Sequence, residues 1–181
     1  MAEYVAFLRG INVGGHKPVP MAELATVFES LRFKNVRTLL ASGNVLFEGS
    51  RTGAAALERM IERRLTKVFG HEIKVLIRAA KELQRLSALQ PFRGIPSTPR
   101  TRFYVTFLSE QPERALRVPY ESPGGDFKIL GVSGREVCSV LTLSPHSRSV
   151  DLMNVLERRF GRRVTTRNWQ TIVRVLSALQ E

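Results

Sequence analysis

Cysteine is nearly absent from this chain of 181 residues, with Cys138 the only one. A single cysteine excludes an internal disulfide framework and any zinc site built on paired thiolates. It sits in the apolar run from Val137 to Leu143, so its expected role is packing rather than thiol chemistry. Histidine is scarce as well: His16, His71 and His146 are scattered, and none has a partner at a metal-binding spacing. The sequence implies no metal and no cofactor. No run approaches the roughly 20 apolar residues a membrane span needs. The opening Met1-Ala2-Glu3-Tyr4 has no basic segment ahead of a long apolar stretch, so no signal peptide and no membrane contact are expected. A reducing cytoplasm is the expected compartment. Acidic residues are the last shortage, 16 against 28 basic ones, for a net charge of +12.

What is present is ordinary in bulk and unusual in arrangement. An apolar content of 43% supports a packed core, and 24% charged residues suits a globular chain. Divided after Gln90, each half holds 14 basic and 8 acidic residues, so the excess charge is no tail but a property of both halves. Such a field favours anionic partners, while a solvated basic surface is the plainer alternative. The halves also share words. Glu62-Arg63-Arg64 precedes Phe69-Gly70, and Glu157-Arg158-Arg159 precedes Phe160-Gly161. Leu86-Ser87-Ala88-Leu89-Gln90 recurs as Leu176-Ser177-Ala178-Leu179-Gln180, and Ser42-Gly43 is matched by Ser133-Gly134. Matches in the same order point to a tandem duplication.

Hydrophobic periodicity and turn residues give the element order. Strands are expected at Tyr4 to Leu8, Val36 to Ala41, Asn44 to Glu48 and Ile73 to Ile77. Helices are expected at Pro18 to Leu31, over the stretch marked by Leu57, Met60, Ile61, Leu65, Val68 and Phe69 with Gly70 as its cap, and at Lys81 to Leu89. Pro91, Gly94, Pro96 and Pro99 mark a linker. The order then returns. Strands are expected at Arg102 to Leu108, Phe127 to Val132, Glu136 to Leu143 and Val164 to Thr166. Helices are expected at Pro112 to Leu116, Val150 to Phe160 and Asn168 to Leu179, and Tyr120 to Asp126 reads as a surface turn. The expected fold is α+β, a tandem duplication of a ferredoxin-like β-α-β-β-α-β unit with an extra helix after each copy. The halves are residues 1–90 and 102–181, joined by a linker at 91–101. In this topology the first and second strands run parallel with the third running back between them. Arg9 to Lys17 and Ser42 to Asn44 should then be spatial neighbours.

Chemistry has three places to reside. The loop Arg9-Gly10-Ile11-Asn12-Val13-Gly14-Gly15-His16-Lys17 follows a strand and precedes a helix, where glycine-rich backbone presents N–H groups to phosphate. Arg9 could pair bidentately with an anion, and Lys17 adds a point charge. It is not a P-loop, because His16, Lys17 and Pro18 follow the last glycine, and it is not the G-x-G-x-x-G dinucleotide fingerprint either. Ser42-Gly43-Asn44 is the second place, although Ser and Asn also simply satisfy turn backbone. Thr166-Arg167-Asn168-Trp169 is the third. There Asn168 is a plausible N-cap, and Trp169, Ile172, Val173, Leu176 and Leu179 form an apolar stripe. Arg167 beside a helix N-terminus would make an anion site, and Trp169 packing in the core is the plainer alternative.

These motifs carry a resemblance. Tyr4-Val5-Ala6-Phe7-Leu8-Arg9-Gly10-Ile11-Asn12-Val13-Gly14-Gly15, then Val19-Pro20-Met21, Ser42-Gly43-Asn44-Val45 and Thr166-Arg167-Asn168-Trp169 resemble a bacterial family of domains of unknown function. The resemblance implies two ferredoxin-like halves, a cytoplasmic location, and no established activity or cofactor. Two departures stand out. Val150-Asp151-Leu152 replaces a Ser-Lys-Leu stretch, and Gln170 replaces a second Asn after Trp169. The lost lysine moves attention to the first loop and hairpin. The leading functional expectation is a binding module for an anionic ligand, a nucleic acid or a nucleotide. It would use Arg9, Gly10, Asn12, Gly14, Gly15, Lys17, Ser42, Gly43 and Asn44, with Arg167, Asn168 and Trp169 as further candidates. One alternative is an enzyme for a small phosphorylated or acidic substrate, with Arg9, Asn12 and Asn44 as polarising groups. Another is a basic partner-binding protein, which would need an exposed apolar patch.

Overall fold

The computed structural model describes residues 1–15, 17–112, 117–145 and 149–181, with the side chains of 149–151 outside the description. The first seven elements run β1 (Ala2–Leu8), α1 (Met21–Ser30), β2 (Lys34–Leu39), β3 (Asn44–Gly49), α2 (Ala54–Phe69), β4 (Val75–Ala79) and α3 (Ala80–Ala88). Then come β5 (Thr101–Leu108), β6 (Tyr120–Glu121), β7 (Phe127–Ser133), β8 (Glu136–Thr142), α4 (Ser149–Phe160), β9 (Val164–Asn168) and α5 (Trp169–Ala178). Two antiparallel sheets result, ordered β2-β3-β1-β4 and β6-β7-β8-β5-β9. The protein is α+β. Among the described residues no helix is long and apolar enough to cross a membrane.

The chain divides into two compact units, residues 1–83 with 175–181, and residues 84–174. In the first unit Tyr4, Ala6 and Leu8 of β1 join Leu24, Val27 and Phe28 of α1 and Leu57, Ile61 and Leu65 of α2 in one apolar cluster. Phe47 sits inside it, its ring 4.5 Å from Phe33, 5.3 Å from Phe28 and 5.6 Å from Tyr4. Side chains alternate across a strand, so Val5 and Phe7 point to the opposite face of the sheet. They are fully buried too, as are Leu46 and Leu76. Both faces of this sheet are therefore covered. In the second unit Leu108, Phe127, Ile129, Val137, Leu141, Leu152, Leu156 and Val164 form the corresponding cluster.

Several boundaries depart from the sequence reading for identifiable reasons. α1 begins at Met21 rather than Pro18, with Pro20 extended at φ −61° and ψ 133° as its N-cap. Residues that precede proline disfavour helix, and Lys17 and Val19 each precede one. The first hairpin turns earlier, because Leu40 at φ 60° ends β2. Tyr120 and Glu121 form a short edge strand paired with Ile129 and Lys128, where a surface turn was expected. The helix expected at Pro112 to Leu116 falls from residue 113 onward outside the described residues. In α2, Gly70 caps the helix in the left-handed region at φ 73°, as its position predicts, and donates to the Thr66 carbonyl at 3.0 Å. Its buried stripe is Leu57, Glu58, Ile61 and Leu65, which leaves Met60 and Val68 exposed. In α5 the stripe is Ile172, Val175 and Ala178, and Val173 points outward. A turn of 100° per residue sets Val173 opposite that stripe.

One edge of the first sheet is protected by carboxylates. β4 pairs with β1 on one side only, so alternate N–H groups point away from the ladder. Val75 N–H donates to Glu62 Oε1 at 3.0 Å, Ile77 N–H to Glu58 Oε1 at 2.9 Å, and Ala79 N–H to Glu82 Oε2 at 2.8 Å. Two of these acceptors come from α2 and one from the first turn of α3. Every outward donor of the strand thus has an acceptor, and the edge offers no open template for pairing.

Candidate functional site

The loop after β1 leaves the sheet where the ladder continues on both sides. Leu8 N–H donates to the Gly43 carbonyl at 2.9 Å, and Arg9 N–H to the Lys74 carbonyl at 2.9 Å. Gly10 turns the chain at φ 64°, and Ile11 drops into the core at 2% exposure. Ile11 lies directly beneath Gly43. A Cβ at Gly43 would meet Ile11 Cδ1 at 2.6 Å and Leu8 Cβ at 3.0 Å, and the residue has φ 78°. Glycine is required there both by the turn and by the close approach.

Asn12 fastens the loop. Its amide Nδ2 donates to the Ala41 carbonyl at 2.8 Å and to the Val19 carbonyl at 3.0 Å. Its Oδ1 accepts from Val19 N–H at 2.7 Å, and its backbone N–H donates to the Lys17 carbonyl at 3.2 Å. One side chain closes the loop on itself and ties it to the hairpin some 30 residues away in sequence. The expected proximity of loop and hairpin is therefore realised. Asn44, fully buried, does the same work inside the turn, donating to the Leu39 carbonyl at 2.7 Å and to Ser42 Oγ at 3.2 Å. Both amide protons of each asparagine are committed. The polarising role that the enzymatic reading gives Asn12 and Asn44 has no proton left to act with.

The rim is made of other groups. Arg9 is half-buried, while Lys17, Gly14, Gly15 and Ser42 are exposed. Gly14 and Gly15 adopt φ 57° and 77°, and Lys17 φ 49°. Lys17 Nζ donates to the Glu72 carbonyl at 3.2 Å, which holds the amine beside the segment that leads into β4. Lys74 pairs with the Glu72 carboxylate at 2.5 Å. His16 lies outside the described residues. This is a pinned loop with exposed glycine backbone that carries two basic residues, Arg9 and Lys17.

Arg167, Asn168 and Trp169 belong to the second unit, and each has a local role there. Arg167 is buried, donating to Thr165 Oγ1 and the Thr166 carbonyl, both at 2.9 Å. Burial lowers its pKa to about 10, so it stays charged at neutral pH. Asn168 Oδ1 accepts from Gln170 N–H at 2.9 Å and so caps α5. Trp169 meets Phe92 edge-on at 5.2 Å, and Phe92 meets Phe103 at 4.8 Å. The tryptophan thus packs on the connecting segment.

Sequence reasoning passed over Arg78, which is fully buried at the end of β4. Its Nη1 donates to the Ile77 carbonyl at 2.9 Å. Arg78 pairs with Val5 in the ladder as Arg167 pairs with Val105. A charge between the apolar run Val75-Leu76-Ile77 and Ala79-Ala80 was the available signal, since an arginine is almost never fully buried unless paired.

Cys138 is buried, and desolvation followed by the nearby Glu136 carboxylate pushes its thiol up to about 12. The thiolate is the reactive species, so at pH 8 the folded protein holds almost none. Labelling by an aromatic disulfide reagent at pH 8 should proceed at the rate of unfolding. Labelling within the mixing time in native buffer would show an open thiol instead.

The family model described as "Protein of unknown function (DUF1697)" matches residues 1–137. A solved structure of the conserved bacterial protein SP0830 from Streptococcus pneumoniae superposes with a TM-score of 0.71 at 22% identity, covering 98% of each chain. At that identity the likeness is one of fold. No curated protein matches the sequence.

Proposed function

This chain belongs to the DUF1697 family of proteins of unknown function, and from its own geometry we propose that it is a binding module for an anionic ligand of nucleotide size. The observation behind this reading is the Asn12 staple, which holds a glycine-rich loop with two cations at its rim against the first hairpin. Rigid presentation lowers the entropy lost on binding, so a small phosphate-bearing ligand is favoured. At this loop a nucleic acid would be held through its phosphates. The buried second face of the first sheet leaves no aromatic platform for bases. Arg9 and Lys17 would carry the charge, and Gly14 and Gly15 would supply backbone N–H groups.

We read the architecture as a tandem duplication of a ferredoxin-like unit. The matching ladders support it. Val5 faces Arg78 and Val105 faces Arg167. Leu8 N–H donates to Gly43 and Leu108 N–H to Arg135, at 2.9 and 2.8 Å. Residues 1–90 and 102–181 are on this reading the repeats in sequence, whereas the compact units follow the packing. A reducing cytoplasm suits the lone buried thiol.

The test is a titration with ATP, GTP and a single-stranded RNA at two ionic strengths. Two phosphate contacts on a single strand predict a log–log salt slope of about −1.4. Arg9→Ala and Lys17→Ala should each weaken binding by about 1.5–3 kcal/mol, the worth of a charged hydrogen bond. Lys17→Ala should leave stability within about 0.5 kcal/mol. No binding of any probe at about 50 mM salt, or binding indifferent to both substitutions, would sink the reading.

A further inference from the structure

The outer face of the helical layer in the first unit carries a groove of about 400 Å³ between the end of α1 and α2. Its floor is apolar: Leu31, Ala56 and Met60, the last 44% exposed. Along α2 its wall is basic, with Arg59, Arg63 and Lys67 all exposed. The reason for the single sign lies on the other side of the helix. α2 has two acidic residues, Glu58 and Glu62, and both turn inward to accept N–H groups of β4. The acids of the helix are thus held at the sheet edge while its bases face water. Among the described residues, no ion pair engages Arg59, Arg63 or Lys67. Arg64, between this groove and the next, is tied to Ser30 Oγ at 3.1 Å. That neighbouring groove, of about 290 Å³, has Glu23 in its wall and lacks a uniform sign.

We infer that this groove docks an acidic amphipathic helix of a partner protein. The spacing selects the occupant. Arg59, Arg63 and Lys67 recur every four residues, which sets successive charges about 6 Å apart along the axis. An acyl carboxylate or a free phosphate brings one charged end and answers one cation. A second helix brings carboxylates at the same period, beside apolar side chains that enter the floor. The concave floor also suits an inserted side chain better than a flat lipid surface. Met60 is unbranched and adapts to what enters, as methionines of peptide-binding grooves do. The surface is separate from the loop site and stands without it.

The experiment uses the full chain and a fluorescein-labelled designed peptide with Leu at i, i+4 and i+7 and Glu on the flanking positions. A second peptide has Gln in place of every Glu. At about 50 mM salt the Glu peptide should bind saturably and gain helicity, and the Gln peptide should bind at least about tenfold more weakly. The doubly reversed Arg59→Glu, Arg63→Glu protein should lose the Glu peptide by at least about tenfold. The control Lys34→Glu, Lys81→Glu has the same net charge at exposed sites elsewhere in the unit, and should stay within about twofold. Both variants should keep the wild-type circular dichroism spectrum. No saturable binding, equal affinity for the two peptides, or equal losses in the two variants would each overturn the proposal. So would single-stranded RNA or phosphatidylglycerol vesicles binding more tightly than the Glu peptide through the same two arginines.

Discussion

Replacing Arg78 by alanine should lower the unfolding free energy by about 3–5 kcal/mol. The guanidinium is fully buried at the end of β4, and one of its donors is held by the Ile77 carbonyl. Truncation takes a donor from the Ile77 carbonyl, and it empties the space of the largest fully buried side chain. Both effects act in the same direction. Against a typical total of about 5–15 kcal/mol, the loss would bring the variant close to unfolding at moderate temperature. Urea denaturation of wild type and variant measures it directly. Arg78→Lys should recover part of the loss, since it keeps the charge without the planar fork of donors. A change below about 1 kcal/mol for the alanine variant would mean that the arginine is held without being needed.

Gly43→Ala should cost about 3 kcal/mol, from a methyl forced into packed atoms together with an unfavourable backbone angle. Two separate terms combine at this position. The φ of 78° lies in the left-handed region, where an L side chain is strained. The added Cβ would stand 2.6 Å from Ile11 Cδ1, which can swing away, and 3.0 Å from Leu8 Cβ, which is anchored to its backbone. Relief must therefore come from the turn or from the loop above Ile11. Either movement disturbs the contact of Asn12 with Ala41. The variant should consequently lose ligand binding at the loop as well as stability, where Lys17→Ala loses binding alone. Denaturation midpoints and the nucleotide titration, run on both proteins, separate the two patterns. A Gly43→Ala protein of wild-type stability would show that the turn relaxes freely, and the pinned-loop picture would fail.

Much of the α+β order was legible in residue patterns because it depends on near neighbours. The apolar spacing of Leu57, Ile61 and Leu65 is a helical one whatever packs against it, and Gly70 ends that helix through its own backbone freedom. The contact between the first loop and the first hairpin was also within reach, since chain handedness restricts the ways that strands and helices can be joined. The roles of individual polar residues were not. Asn12 reads as a ligand donor in a glycine-rich loop, yet its amide is consumed by carbonyls of Val19 and Ala41. Nothing in the helical spacing around Glu58 and Glu62 shows that they accept from a strand edge that lies later in the chain. Arg78 follows the expected strand Ile73 to Ile77 in sequence, yet it is fully buried.

The difference is one of range. Periodicity, caps and turns follow from interactions within a few residues, so the pattern of side chains along the chain is enough to specify them. A hydrogen-bonding side chain has no such restriction. Its partner is whichever group the packed sheet brings within about 3 Å, and that depends on strand order and register across the whole unit. Composition and spacing thus settled the order of most strands and helices, though not all their boundaries, and how much positive charge the chain carries. Packing alone settled which charges turn inward to complete the sheet, and so which ones are left on the surface.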